Sequence, residues 1–216
     1  MNYEVVDVLY RSRITLLEHL SQSYNTEPYS KFSPKEIAEM IKAGPVAGAP
    51  PALSMELTKK EDSTSYEKCL VVYTIGKIKQ KLLAFTKKLI DPEESSFDPT
   101  TTELIIVTLE PIAPNFHAMA FQLWMADKTK VRYFQAAAIV NNPLRHMLVP
   151  RHEKVPAEEE DALLKSLYAT KAQLPLIRFH EDPIARILGL VPKDIVKITR
   201  PSLTGGEAVL YRLCVP

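Results

Sequence analysis

Three short apolar runs, CLVVYT (69–74), ELIIVTL (103–109) and KVRYF (130–134), constrain this chain most. Each is too short for a buried helix and too apolar for a strand with one face in water, so each predicts a strand covered on both faces. The segments between them, IGKIKQKLLAFTKKLI (75–90) and PNFHAMAFQLWMA (114–126), repeat their apolar residues at helical spacing. Strand, helix, strand, helix, strand predicts a parallel or mixed sheet under helices.

Two helices precede this pattern and pack on the sheet, because neither can bury its own apolar face alone. The first spans 3–21, with Val5, Leu9, Leu16 and Leu20 near one face. The second opens at SPKE: Ser33 is the N-cap, Pro34 the first helical residue, Glu36 completes a capping box, and Gly44 ends it. The Pro/Ala/Gly-rich stretch 43–54 is a loop inside this domain.

After NNPLRHMLVPRH (141–152) the grammar changes. A helix over 157–169 turns Leu163, Leu164 and Leu167 inward, with acidic EEED at its positive end. Asp182 caps a short helix that starts at Pro183 and closes at Gly189. DIVKIT (194–199) and AVLYRLCV (208–215) form a hairpin whose turn needs positive φ at Gly205 or Gly206. Val191-Pro192-Lys193-Asp194 suits a type I turn. The fold class is α+β: an N-terminal α/β domain, a mixed sheet covered by helices, over 1–143, and a small C-terminal α+β domain with a β-hairpin over 144–216.

Function classes narrow by exclusion. Net charge is +1; residues 1–143 carry 16 basic and 17 acidic side chains, and the remainder 11 and 9. Neither part is a strongly basic nucleic-acid module. No apolar run is long enough to span a bilayer, and the N-terminus lacks a secretory layout. Cys69 and Cys214 read as buried free thiols of a reducing compartment. The lysines of the 77–88 helix read as its solvated face, with Leu82, Leu83 and Phe85 buried. His146 and His152 flank MLVPR without metal-ligand spacing and read as turn histidines bonding backbone. Asp98, Glu103 and Glu110 are the carboxylates a metal nuclease would need. Glu103 and Glu110 lie at opposite ends of one strand, roughly 20 Å apart at the usual rise, too far to share a cation. No phosphate loop, nucleophile elbow, cofactor site or catalytic group emerges.

From His146 onward the chain carries an ordered series: His146, Leu148, Val149, Pro150, His152; Gln173, Leu174, Pro175, Ile177; Asp182, Pro183, Ala185, Arg186, Gly189, Leu190; Val196, Lys197, Ile198, Arg200, Pro201, Ser202, Thr204, Gly206; Tyr211, Arg212, Leu213, Cys214. This series resembles the fifth-largest subunit of eukaryotic nuclear RNA polymerases, whose C-terminal domain alone corresponds to a small subunit of the archaeal RNA polymerase. The N-terminal order of elements, with LIIV and FQAAAIVNN, is similar to that family's jaw domain. The resemblance implies a non-catalytic subunit with no cofactor or metal. Its C-terminal domain would dock on the largest subunit, with other polymerase subunits as further partners. Its jaw domain would project near downstream double-stranded DNA. No membrane contact and no homo-oligomer are implied. The compartment would be the nucleus.

Carried onto this sequence, the resemblance makes His146, Pro150, His152, Asp182, Arg186, Lys197, Arg200, Ser202 and Arg212 candidates for the largest-subunit interface. Ile198 belongs to the core. Pro114, Asn115 and His117 are candidates for DNA proximity. Departures fall on polar, partner-facing positions. Leu176, Leu203 and Glu207-Ala208 replace family residues of other character, and Ala113-Pro114-Asn115-Phe116-His117 has lost a hydroxyl pair and a lysine. A kept fold with a changed surface suggests a copy specialised for one enzyme, RNA polymerase I, and hence the nucleolus. A competing reading is a free-standing transcription adaptor using the acidic helix with Tyr133 and Phe134; a nuclease comes third.

Overall fold

The computed structural model describes residues 3–43, 53–61, 66–90, 97–202 and 205–216. The chain divides into two compact units, Met1–Asn141 and Asn142–Pro216. The architecture is α+β, with one four-stranded mixed sheet in each unit.

The N-terminal unit runs α1 (Tyr3–Leu20), α2 (Pro34–Ala43), β1 (Met55–Thr58), β2 (Lys68–Thr74), α3 (Leu82–Ile90), β3 (Thr102–Thr108), α4 (Pro114–Asp127) and β4 (Val131–Gln135). Sheet order is β1-β2-β3-β4; β1 is antiparallel to β2, and β2, β3 and β4 are parallel. Every residue of β3 is buried, as a central parallel strand covered on both faces must be. Tyr133 is fully buried, its ring edge-on to Phe116 at 5.3 Å and its hydroxyl 3.0 Å from Thr86 Oγ1. Phe134 is buried too. These two aromatics are core, which removes them from the adaptor reading.

The α1 face is Val6, Leu9, Leu16, Leu17 and Leu20, with Val5 only half-buried. That face also buries Arg13. Its guanidinium donates to the Leu53 carbonyl at 2.9 Å and lies over the Tyr29 and Phe32 rings. The α2 capping box forms as expected: the Ser33 N–H donates to Glu36 Oε2 at 2.6 Å and the Glu36 N–H to Ser33 Oγ at 3.4 Å. Those backbone and side-chain bonds hold the Glu36 carboxyl below its usual range. Gly44, the expected stop, lies outside the described residues.

The lysine-bearing helix is shorter than its spacing suggests. Glu110 at the end of β3 accepts the N–H groups of Ile78 and Lys79 at 2.7 and 2.9 Å, so 75–81 is a loop and α3 begins only at Leu82. Lys77, Lys79 and Lys81 are exposed loop residues. The buried pair on α3 is Leu82 and Thr86, one turn apart, while Leu83 is 50% exposed.

The C-terminal unit contains β5 (Arg151–Lys154), α5 (Ala157–Ser166), β6 (Leu176–Arg178), α6 (Pro183–Leu188), β7 (Ile195–Ser202) and β8 (Gly206–Val215). Sheet order is β5-β7-β8-β6, with the β7–β8 hairpin central and β6 parallel to β8. Leu163 and Leu164 of α5 pack on Val155, Leu174 and Ile195, with Tyr211 and Leu213. α5 stops at Ser166 because Tyr168 takes φ +48°, and the Ala169 N–H returns to the Leu164 carbonyl. Leu167 is therefore exposed rather than inward.

Candidate functional site

The segment 182–202 is built as its sequence implies, with one change. The Asp182 carboxylate accepts the N–H groups of Ile184 and Ala185 at 2.8 and 3.2 Å, Pro183 starts α6, and Gly189 closes it at φ +64°. The turn Val191–Asp194 is hydrogen-bonded, Asp194 N–H to Val191 carbonyl at 3.1 Å, but Lys193 sits at φ +82°. That is the third-residue value of a type II turn, not type I. Asp194 holds the turn from both sides: its carboxylate accepts the Val191 N–H at 2.8 Å and pairs with Lys154 at 2.8 Å. At the far end of the hairpin Gly206 takes φ +73°, and the Gly205 N–H donates to Ser202 Oγ at 3.3 Å. Leu203 and Thr204 lie outside the described residues.

Strand alternation sorts the interface candidates. Val196, Ile198, Arg200 and Ser202 point to one face of the sheet, and the register places His152 beside Ile198, Arg212 beside Val196 and Ala208 beside Arg200. Lys197 points to the opposite face, between Glu153 and Tyr211. Ile198 is 2% exposed, a core residue. Arg212 is half-buried and donates to the Leu176 carbonyl at 3.0 Å. Arg200 is exposed on the strand end beyond β5. Arg186 is half-buried on α6; burial pulls its pKa down and Asp182 opposes that. The two histidines bond backbone. His146 Nδ1 accepts the Leu148 N–H at 3.2 Å, and His152 Nδ1 lies 2.6 Å from the Pro150 carbonyl.

In the N-terminal unit, Pro114 is the first residue of α4 and His117 is half-buried in its first turn. Asn115 Nδ2 donates to the Lys79 carbonyl at 3.1 Å. With Glu110, this bond ties the β2–α3 loop, which carries the exposed Lys77, Lys79 and Lys81, to the start of α4 at Lys79. The sequence singled out both segments but not their juxtaposition. Gly76, an uncommon residue inside a helix, was the available signal.

The carboxylates weighed for metal chemistry have separate structural tasks. Asp98 accepts from the Thr100 N–H and Oγ1 at 2.9 and 2.7 Å. Glu103 pairs with Arg132 and Lys130 at 2.7 and 3.1 Å, and Glu110 anchors the loop. Among the described residues no acidic or ligating group is clustered for a metal ion. Both thiols are buried and free; burial raises the Cys214 pKa to about 12 and pushes Cys69 up as well.

Residues 141–214 match the family described as RNA polymerase Rpb5, C-terminal domain. DNA-directed RNA polymerase subunit Rpo5 of Archaeoglobus fulgidus is 59% identical over 70 residues, 32% of this chain and 91% of that protein. DNA-directed RNA polymerases I, II, and III subunit rpabc1 of Dictyostelium discoideum is 32% identical over 164 residues, 76% of this chain and 79% of that one. The corresponding Caenorhabditis elegans subunit is 42% identical over 91 residues, 42% of this chain and 43% of that protein. Two sheet units with this ordered C-terminal series define a subunit of a DNA-directed RNA polymerase. The chain belongs to the Rpb5 family.

Proposed function

We propose that residues 142–216 dock this subunit on the largest polymerase subunit, while residues 1–141 form part of the lower jaw near downstream double-stranded DNA, with no catalytic group of their own. One observation carries this division of labour. The Archaeoglobus subunit is matched over 91% of its length by 70 residues of this chain, about the extent of the family match at 141–214, so a polymerase subunit exists that is about the size of the C-terminal unit alone. That supports docking through this unit. Arg200, Arg212, His152 and Ser202 on one face, and Lys197 on the other, are the side chains that would meet acidic groups of the partner. His146, Pro150, Asp182 and Arg186 support that surface. On the jaw, Pro114, Asn115 and His117, with the adjoining lysine loop, would face the DNA backbone.

The changed positions Leu176, Glu207 and Ala208 are exposed, which supports a copy adapted to a single enzyme, RNA polymerase I, in the nucleolus of a eukaryotic nucleus. The test is affinity purification of the tagged protein at mild salt, with co-purifying large subunits counted by mass spectrometry. One largest subunit at equal stoichiometry is expected. Three different ones would make the subunit shared, as the Dictyostelium relative's name describes that protein. None would leave the adaptor reading and end the docking proposal.

A further inference from the structure

β8 is paired along most of its length on one side and only near its end on the other. β7 covers Gly206 to Leu213, whereas β6 covers Leu213 to Val215 alone. The orientation of the uncovered stretch follows from the backbone. The Leu213 N–H points toward the β6 side, where it meets the Pro175 carbonyl, and the Cys214 N–H points the other way, to Asp194. By alternation Val209 and Tyr211 turn their N–H and C=O groups to the open side. None of these groups has a backbone partner among the described residues. Of the usual protections of an edge, 207–211 carries no proline, lysine or bulge and a single charge, Glu207 at its far end. Instead Val209 and Leu210 are 44% and 40% exposed, and Leu176 at the mouth of the gap is 53% exposed.

We infer that this open edge accepts one extended segment of the largest polymerase subunit, added to the sheet beside β8 and in line with β6. The inference rests on the docking reading above and specifies its mode. Charge fixes the kind of segment. On the face that carries Arg200 and Arg212, the residue between Arg200 and an added strand is Ala208, whose methyl leaves the guanidinium open to a carboxylate on that strand. On the other face Val209 and Leu176 are exposed apolar side chains, with half-buried Tyr211 beside them and the exposed Glu207 at the far end. The segment is therefore acidic on one face and apolar on the other. A second copy of this chain fits worse. Two β8 edges paired antiparallel would bring their arginines to the same face, like charge toward like.

Hydrogen exchange on the full chain, free and incorporated into polymerase, tests the mode directly. The Val209 and Tyr211 amides are expected to exchange freely in the isolated chain and to become protected on incorporation. The companion variant is Val209→Pro. It removes an N–H from the open side only and leaves β7–β8 pairing intact. It is expected to keep the fold and to weaken binding to polymerase lacking this subunit at least about tenfold, whereas Val209→Ala keeps most of it. Wild-type incorporation with both amides still unprotected overturns the edge inference and leaves docking standing. If the wild-type chain does not bind the largest subunit, docking itself falls and the inference with it. Protection that appears in the isolated chain as its concentration rises would assign the edge to a second copy and overturn the proposal.

Discussion

Arg132 Nε lies 2.7 Å from Glu103 Oε1 on the neighbouring strand, with both side chains at most 8% exposed. Lys130 joins the same oxygen at 3.1 Å, and the Tyr24 hydroxyl lies 3.2 Å from the other. Burial pushes the Glu103 carboxyl up, but the Arg132 and Lys130 charges outweigh it and hold the group below its usual range. A depressed folded pKa stabilises above the unfolded value of about 4.3 and loses that contribution as pH falls through the folded one. Glu103→Gln leaves the buried Arg132 and the half-buried Lys130 without their carboxylate and is expected to cost the N-terminal unit about 3–5 kcal/mol at pH 7. The gap from wild type should close in acid, where the wild-type carboxyl is itself neutral. Urea unfolding followed at Trp124, the single tryptophan, reads this unit at each pH. An unchanged gap below pH 3 would mean that shape, not charge, sets the cost.

Lys193 occupies a left-handed conformation, φ +82°, that costs a residue with a side chain about 1 kcal/mol relative to glycine. Lys193→Gly is expected to stabilise the C-terminal unit by about that amount, and Lys193→Ala not at all. Amide exchange of the β7–β8 core in the full chain measures both. Equal stability of the two variants would put the turn's strain elsewhere.

The sequence was most legible where local chemistry and global packing agree. The Ser33–Glu36 box, the Asp182 cap, Gly189 and the three apolar parallel strands could be read because each is specified within a few residues. β1, β5 and β6 were missed because four or three residues carry too little pattern; only Met55 and Leu57, alternating with Glu56 and Thr58, gave a trace. The 75–81 loop was misread because a carboxylate some thirty residues away, Glu110, takes the N–H groups a helix would have used. The turn at Lys193 was misassigned because a lysine gives no warning of positive φ. Of the candidate surface, residue identities were visible but not their faces. Lys197 and Arg200 point apart because β7 runs on through Ser202, and which face each of them takes is set only by pairing.

Asp182 supplies two bonds to α6, at 2.8 and 3.2 Å. Asp182→Ala is expected to cost about 1 kcal/mol, and Asp182→Asn much less, since an amide oxygen still accepts from the helix start. The effect should appear as faster exchange of the amides that follow the cap. Equal loss in Asn and Ala would show that charge, not the cap bond, is what Asp182 contributes.

Ile198 and Arg200, two residues apart on one face of β7, separate folding from docking. Ile198 is 2% exposed, so Ile198→Asp puts an unpaired carboxylate into the core and is expected to unfold the C-terminal unit and abolish incorporation. Arg200 is exposed, so Arg200→Ala should leave stability within about 0.5 kcal/mol of wild type. It should weaken incorporation several-fold, more at low salt than at high, if its partner is a carboxylate. Competition of each variant with wild-type chain for polymerase lacking this subunit, at two salt concentrations, gives both answers. Normal incorporation of Ile198→Asp would overturn the core assignment. A salt-independent Arg200→Ala defect would replace the ion pair with packing of the arginine stem on the docked segment.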